Sequence, residues 1–84
     1  MMDVKITAPG KRIYSGKADA VRFRSTQGEM QILPGHISYM AEIGKGSMEI
    51  RCGNKKLSGE TTHGIIYNHR NDISIILFEP YEFL

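Results

Sequence analysis

The cysteine and histidines of this sequence are the side chains most typical of zinc sites and of nucleophile–base pairs: Cys52, His36, His63 and His69. Zinc sites usually combine Cys and His in pairs at short spacing, whereas these residues are scattered. Cys52 falls on the apolar side of an alternating stretch, which is typical of a small buried hydrophobe. We therefore expect no catalytic residue and no metal site. An enzyme would require His36 or His63 within hydrogen-bond reach of Cys52 or of a carboxylate.

Basic side chains form the second candidate chemistry. Arg22 and Arg24 lie two residues apart and share one face of a strand, and residues 55–56 are both lysine. With Tyr14 or Tyr39 nearby, they could form the stacking platform of a small oligonucleotide-binding barrel. The alternative is an ordinary solvated face. A net charge of only +2 favours that alternative, so we expect no nucleic-acid partner.

The segment 28–36 combines a strand, a rigid turn and a histidine. Apolar residues alternate with Glu29 and Gln31, which is the period of a half-buried strand. Pro34 removes a backbone donor, and Gly35 permits a positive φ, so the strand must stop there. Binding residues often lie on loops held by a rigid scaffold. The segment is either a protein-contact site or an ordinary hairpin that carries polar side chains without a binding role.

Period-two alternation dominates the whole chain, and no helical period competes with it. Short strands separated by glycine-rich turns predict an all-β sandwich or barrel of about eight to ten strands. Residues 73–78 are apolar on both faces, which indicates a central strand or one with a face covered by a partner. The expected strands cover residues 3–7, 11–17, 18–26, 28–33, 37–43, 47–52, 55–58, 64–67 and 73–78.

Size and composition limit the remaining possibilities. Eighty-four residues, 40% of them hydrophobic and 24% charged, predict one small globular domain without a deep enclosed site. The nine glycines punctuate strands and do not precede a helix, so no phosphate-binding loop and no cofactor are expected. We see no signal segment and no membrane-spanning stretch, and we expect a reducing, cytoplasmic setting.

Four stretches resemble one family, the epsilon subunit of F-type ATP synthases. Residues 6–16 resemble its opening strand, turn and Tyr-Ser-Gly, and residues 28–36 contain its Gly-Glu and Leu-Pro-Gly-His elements. Residues 45–51 and 64–77 resemble its later strands, so the similarity covers nearly the whole chain. Leu-Pro-Gly-His in this position is the most specific of these elements.

The resemblance implies a ten-stranded β-sandwich of two antiparallel five-stranded sheets, as a single domain over residues 1–84 without the family's C-terminal helical hairpin. The chain would be either cut at the domain boundary or naturally short. The implied role is that of a non-catalytic rotor subunit that couples proton or sodium flow to ATP synthesis. Its partners would be the gamma subunit and the membrane rotor ring of c subunits. It would be peripheral on the cytoplasmic face of a bacterial inner membrane, without direct insertion, and a monomer when isolated.

Family position also implies contact residues. Glu29 and Met30 correspond to the loop that faces the rotor ring. His36, Met40 and Ala41 fall near the surface that faces gamma. Pro34 and Gly35 are expected to be structural turn residues between the two contacts.

Overall fold

The computed structural model describes residues 1–35 and 38–83. It contains ten β-strands and, within those residues, no helix, which confirms the all-β prediction. The strands are β1 Met2–Ala8, β2 Lys11–Ala18, β3 Ala20–Ser25, β4 Gly28–Ile32, β5 Tyr39–Ile43, β6 Gly46–Cys52, β7 Lys55–Thr61, β8 His63–His69, β9 Asp72–Phe78 and β10 Glu82–Phe83.

Alternating burial explains why these stretches form strands. Along β8 and β9 every second residue is buried, because successive side chains of a strand point to opposite faces. The buried side chains come from both ends of the chain and form one core, whose largest member is Phe23. Tyr81 and Phe83 pack against this core.

The strands form two halves of five, and strand pairing joins the halves at one place. The pairing order is β10-β7-β6-β3-β5-β8-β9-β1-β2, with β4 on the free side of β3. β3 and β5 share only the pair Ser25 and Ile43, so β4, β3, β6, β7 and β10 form one half. The expected division into two separate sheets is not confirmed, because that bridge makes the path continuous. The pairs are also not all antiparallel, since β1 and β9 run parallel.

Two local predictions were wrong. The weak return strand expected at residues 55–58 continues to Thr61, and β8 begins at His63, in a stretch without apolar period. The hydroxyl of buried Thr61 donates hydrogen bonds to the carbonyls of Gly44 and Gly46, at 2.9 and 3.2 Å. These bonds fix the end of β7 without an apolar side chain. β2 also has an irregularity, where its register with β1 shifts opposite Ile6 and Thr7.

No stretch of residues 1–35 or 38–83 forms a helix long and apolar enough to cross a membrane.

Candidate interaction surfaces

The turn after β4 is held from a distant part of the chain. Residues 33–35 are exposed, and Gly35 has φ 88°, the positive value expected for it. The N–H of Gly35 donates to Oδ1 of Asn71 at 2.9 Å. Asn71 belongs to the two-residue β8–β9 turn, where it and Arg70 both adopt positive φ. This bond connects Gly35 to the β8–β9 turn, and the structural role expected for Pro34 and Gly35 stays a prediction. His36 lies outside the described residues.

The β3–β4 turn presents Glu29. The hydroxyl of Ser25 donates to the carbonyl of Gly28 at 2.7 Å and accepts the N–H of Gln27 at 3.0 Å. Glu29 is exposed on the outer face of β4, and it has no ion-pair partner among the described residues. Met30, its neighbour, is half-buried and packs against the core. Of the two residues expected to contact the ring, only Glu29 extends into solvent.

The half of the molecule that contains β3, β4 and β6 has a charged outer face. Arg22 lies opposite Glu49 across the β3–β6 pair. Glu49 forms ion pairs with Arg51 at 3.3 Å and with Lys56 at 3.6 Å. The acidic group therefore divides the basic cluster expected of a nucleic-acid platform, and Tyr39 packs on the core of the other half. Tyr14, the other aromatic residue of that alternative, lines a surface pocket with Lys55 and Lys56 but not with Arg22 or Arg24.

The other half has an apolar outer face. Five of its large hydrophobic side chains are between 36% and 66% exposed, and Met40 is the most exposed of them. Cross-strand register places them together: Met40 lies opposite Tyr67, and Ile65 lies opposite Ile76. We call this surface the apolar outer face; its members are Met40, Ile65, Tyr67, Ile76 and Phe78. Large exposed apolar surfaces often mark sites of protein contact, so this face is a candidate interaction surface.

Residues next to one another on β5 point to different faces. Met40 belongs to the apolar outer face, whereas Ala41 is half-buried, packs on the core and lies opposite Ile66. Both were expected to contact gamma. Met40 points outward and Ala41 faces the core, and the contact role of both stays a prediction.

Two histidines lie at the ends of the apolar outer face. The ring of His63 stacks on that of Phe78, with centroids 5.5 Å apart, and the ring of His69 stacks on that of Tyr67, at 6.2 Å. The sequence suggested separate turns or strand starts for the histidines, and the structure places His63 and His69 on one strand, as the first and last residues of β8. They can extend an aromatic surface, and they lie on the same strand face.

The described residues contain no group of three His, Cys, Asp or Glu side chains that could hold a metal ion. Cys52 is half-buried at the end of β6, where it lies opposite Lys55. Elsewhere in the described part of the chain, two side chains have shifted pKa values. A hydrogen bond to Asp3, at 2.6 Å, and the negative charge of that residue raise the pKa of Lys17. Burial raises the pKa of the Tyr39 phenol.

The fold and these surfaces define a small all-β domain with one charged and one apolar outer face. The sequence profile described as "ATP synthase, Delta/Epsilon chain, beta-sandwich domain" matches residues 1–79. The chain belongs to this family.

Individual relatives agree with this assignment. The chain is 30% identical over 74 residues to an ATP synthase epsilon chain from Frankia casuarinae, a match that covers 87% of each chain. It is 39% identical over 54 residues to an ATP synthase epsilon chain from Prochlorococcus marinus. That match covers 64% of this chain and only 40% of the relative, so the chain spans about two fifths of that protein.

Solved structures share the fold. A chain of the Euglena gracilis mitochondrial ATP synthase, in a structure of OSCP, F1 and c-ring, superposes with a TM-score of 0.88 over 98% of this chain and 52% of its own. A chain of the central stalk and c-ring of the Tetrahymena thermophila mitochondrial ATP synthase superposes with a TM-score of 0.76 over 96% of this chain and 65% of its own. At 20% and 16% identity these similarities establish the fold alone.

Proposed function

We propose that this chain serves as the β-sandwich part of a non-catalytic central-stalk subunit of a rotary ATP synthase. In this role it fastens the gamma subunit to the membrane rotor ring, so that rotation driven by proton or sodium flow reaches the catalytic head. It would act as a peripheral component on the cytoplasmic face of the membrane. Family membership supports this assignment, as does the name shared by its relatives, ATP synthase epsilon chain.

The observation that carries the proposal is the separation of two unlike outer faces by one core. The inward sides of both halves contribute to the same cluster of buried residues, so their outer faces point away from each other. One face is apolar around Met40, and the other carries charge around Glu49 and ends at Glu29. A body with two distinct faces can hold two partners at once.

We assign gamma to the apolar outer face. Met40 lies at the edge of this face and is 66% exposed. Because its side chain points outward, a substitution there should leave the packing of the core unchanged. Burying such a side chain at an interface is worth about 1.5–3 kcal/mol. Pro34, Gly35 and, by sequence position, His36 precede β5 and would lie at the border of this contact.

Binding of the full chain to isolated gamma tests this assignment. Met40→Asp should weaken binding by at least about tenfold, because it places a charge in a desolvated contact, and should leave the thermal midpoint unchanged. Ser58→Asp, which places the same charge on exposed β7 of the other half, serves as the matched control. Equal affinities for the two variants would refute the assignment of this face to gamma.

We assign the rotor ring to the end of β4 that carries Glu29. An exposed carboxylate without an ion-pair partner in the described residues suits a polar or cationic loop. Glu29→Lys should weaken association with purified rotor ring, Glu29→Gln should weaken it less, and the loss should shrink at high salt. Ser58→Lys controls for the added charge. Wild-type ring association by Glu29→Lys would show that this carboxylate is not a contact.

A further inference from the structure

We propose that docking of gamma on the apolar outer face depends on pH, because His63 and His69 must both be neutral when that face is covered. The proposal rests on the function proposed above. It adds a property of the surface that the family assignment does not contain.

The geometry places both imidazoles where a partner would cover them. His63 and His69 are exposed on the outer face of β8, at the two ends of the strand. Each stacks on an aromatic ring of the apolar outer face. The planes of His63 and Phe78 make an angle of 29°, and those of His69 and Tyr67 make an angle of 4°. A partner wide enough to cover the aromatic rings would therefore cover the imidazoles or their edges.

The groups around His63 are mostly uncharged. On β9 its direct neighbour is Phe78, and Ile76 lies diagonally on the same face. On the β5 side the nearest charged residue in the register is Glu42, which lies opposite Ile65. With hydrophobic neighbours on one side and a partner above, an imidazolium at His63 would lose most of its water.

His69 has more polar surroundings. Asp72 lies directly across from it on β9, and Arg70 follows it in the turn. The Ser38 hydroxyl, which precedes β5, lies 3.4 Å from its Nδ1. Asp72 can partly balance a charged His69, so we expect His63 to carry the larger part of the pH dependence.

The physical reason is the difference between the two forms of the ring. Neutral imidazole is aromatic and can be buried with one hydrogen bond, whereas imidazolium carries a charge whose desolvation is costly without a counter-charge. Histidine changes charge between about pH 5 and pH 8. If binding requires the neutral form, affinity falls by up to about tenfold per pH unit for each excluded proton.

The test measures the affinity of the full chain for isolated gamma between about pH 5.5 and pH 8, by calorimetry in buffers with different ionisation enthalpies. The wild-type chain should bind most tightly at the alkaline end and release protons on binding as pH falls. His63→Gln and His69→Gln keep a polar side chain without a titratable charge. The double variant should keep its alkaline affinity and lose most of the pH dependence, and His63→Gln should lose more than His69→Gln.

The outcomes separate the two proposals. If the wild-type chain fails to bind gamma at any pH, the assignment of this face to gamma fails. If it binds with an affinity that is flat with pH, or if the double variant retains the full dependence, the histidines are not the sensors and the present inference is overturned. Circular dichroism of the free chain over the same range must show a folded protein, so that unfolding is not read as lost binding.

Discussion

Asn71 holds Gly35 across 36 positions of sequence: its side-chain oxygen accepts the Gly35 N–H at 2.9 Å. The same residue accepts the N–H of Asp3 at 2.8 Å through its own carbonyl. One turn residue therefore connects the β4–β5 turn, the β8–β9 hairpin and the start of β1. The shape of the Leu-Pro-Gly turn depends on a residue that the turn does not contain.

The first prediction removes this side chain and preserves its backbone conformation. Asn71→Gly tolerates the observed φ of 66°, so the main effect should be the lost hydrogen bond, about 0.5–1.5 kcal/mol of unfolding free energy. The Gly35 amide should exchange with solvent faster. Asn71→Asp keeps an acceptor oxygen and serves as the control. Unchanged exchange at Gly35 in Asn71→Gly would mean that the turn is held by other contacts.

The second prediction concerns Gly59, against which β10 packs closely. A Cβ on Gly59 would overlap the carbonyl of Glu82 and the ring of Phe83. Gly59→Ala should displace β10 and lower the unfolding free energy by about 1–3 kcal/mol, although alanine is ordinarily tolerated better than glycine in a strand. Urea unfolding and proteolysis of the C-terminal segment measure the effect. Ser58→Ala, on the exposed side of the same strand, should change neither.

The third prediction tests the turn that presents Glu29. Ser25 is only 5% exposed, and its hydroxyl bonds both Gly28 and Gln27. Ser25→Ala should lower the unfolding free energy by about 1–2 kcal/mol, because the Gly28 carbonyl and the Gln27 N–H would both lose their hydrogen bond to the hydroxyl. Ser74→Ala, an exposed serine on β9, provides the comparison in chemical denaturation. Similar midpoints for both variants would show that backbone geometry alone closes the turn.

The fourth prediction concerns alkaline pH. In the folded chain, the hydrogen bond to Asp3 raises the pKa of Lys17 above its unfolded value. Burial raises the pKa of Tyr39 in the folded chain. Both contributions are complete below the unfolded pKa values, 10.5 and 10.0, and are lost as pH rises through the higher folded values. Stability should therefore fall from about pH 10 upward.

Two variants separate the contributions in urea unfolding between about pH 8 and pH 11. Tyr39→Phe should reduce the alkaline loss at any salt concentration, because desolvation is its cause. Lys17→Gln should reduce it only at low salt, because the exposed pair is screened at about 1 M. An alkaline loss that is the same in both variants and the wild-type chain would assign it to other groups.

Alternation alone identified much of the architecture. The burial pattern of β3 follows directly from a period of two: Val21 and Phe23 are buried, and Arg22 and Arg24 are exposed. The exposed position of Met40 on β5 follows from the same period, because its neighbours Tyr39 and Ala41 face the core. These successes share one cause, since each concerns residues close together in sequence whose face is fixed by the pleat.

The features that were missed depend on register or on polar contacts. Nothing in the sequence around Ile65 and Ile76 shows that they lie opposite one another, because that requires the pairing of β8 with β9. The inward positions of β7 include Gly59 and Thr61, which produce no apolar signal, so its end was not recognised. The Asn71 contact joins segments far apart in sequence, and periodicity carries no information about such a bond.

The single bridge between Ser25 and Ile43 has a mechanical consequence. Besides it, two backbone bonds cross nearby, from Thr26 to Glu42 at 3.1 Å and from Gly44 to Arg24 at 2.8 Å. The chain itself also crosses between the halves after β2, β4, β7 and β9, and the Gly35–Asn71 bond lies at one of these crossings. Away from the crossings, a load applied to one outer face passes to the other through core side chains, which close packing makes nearly incompressible. In the proposed rotor, the side chains of the interior would share the torque with the backbone segments that cross between the halves.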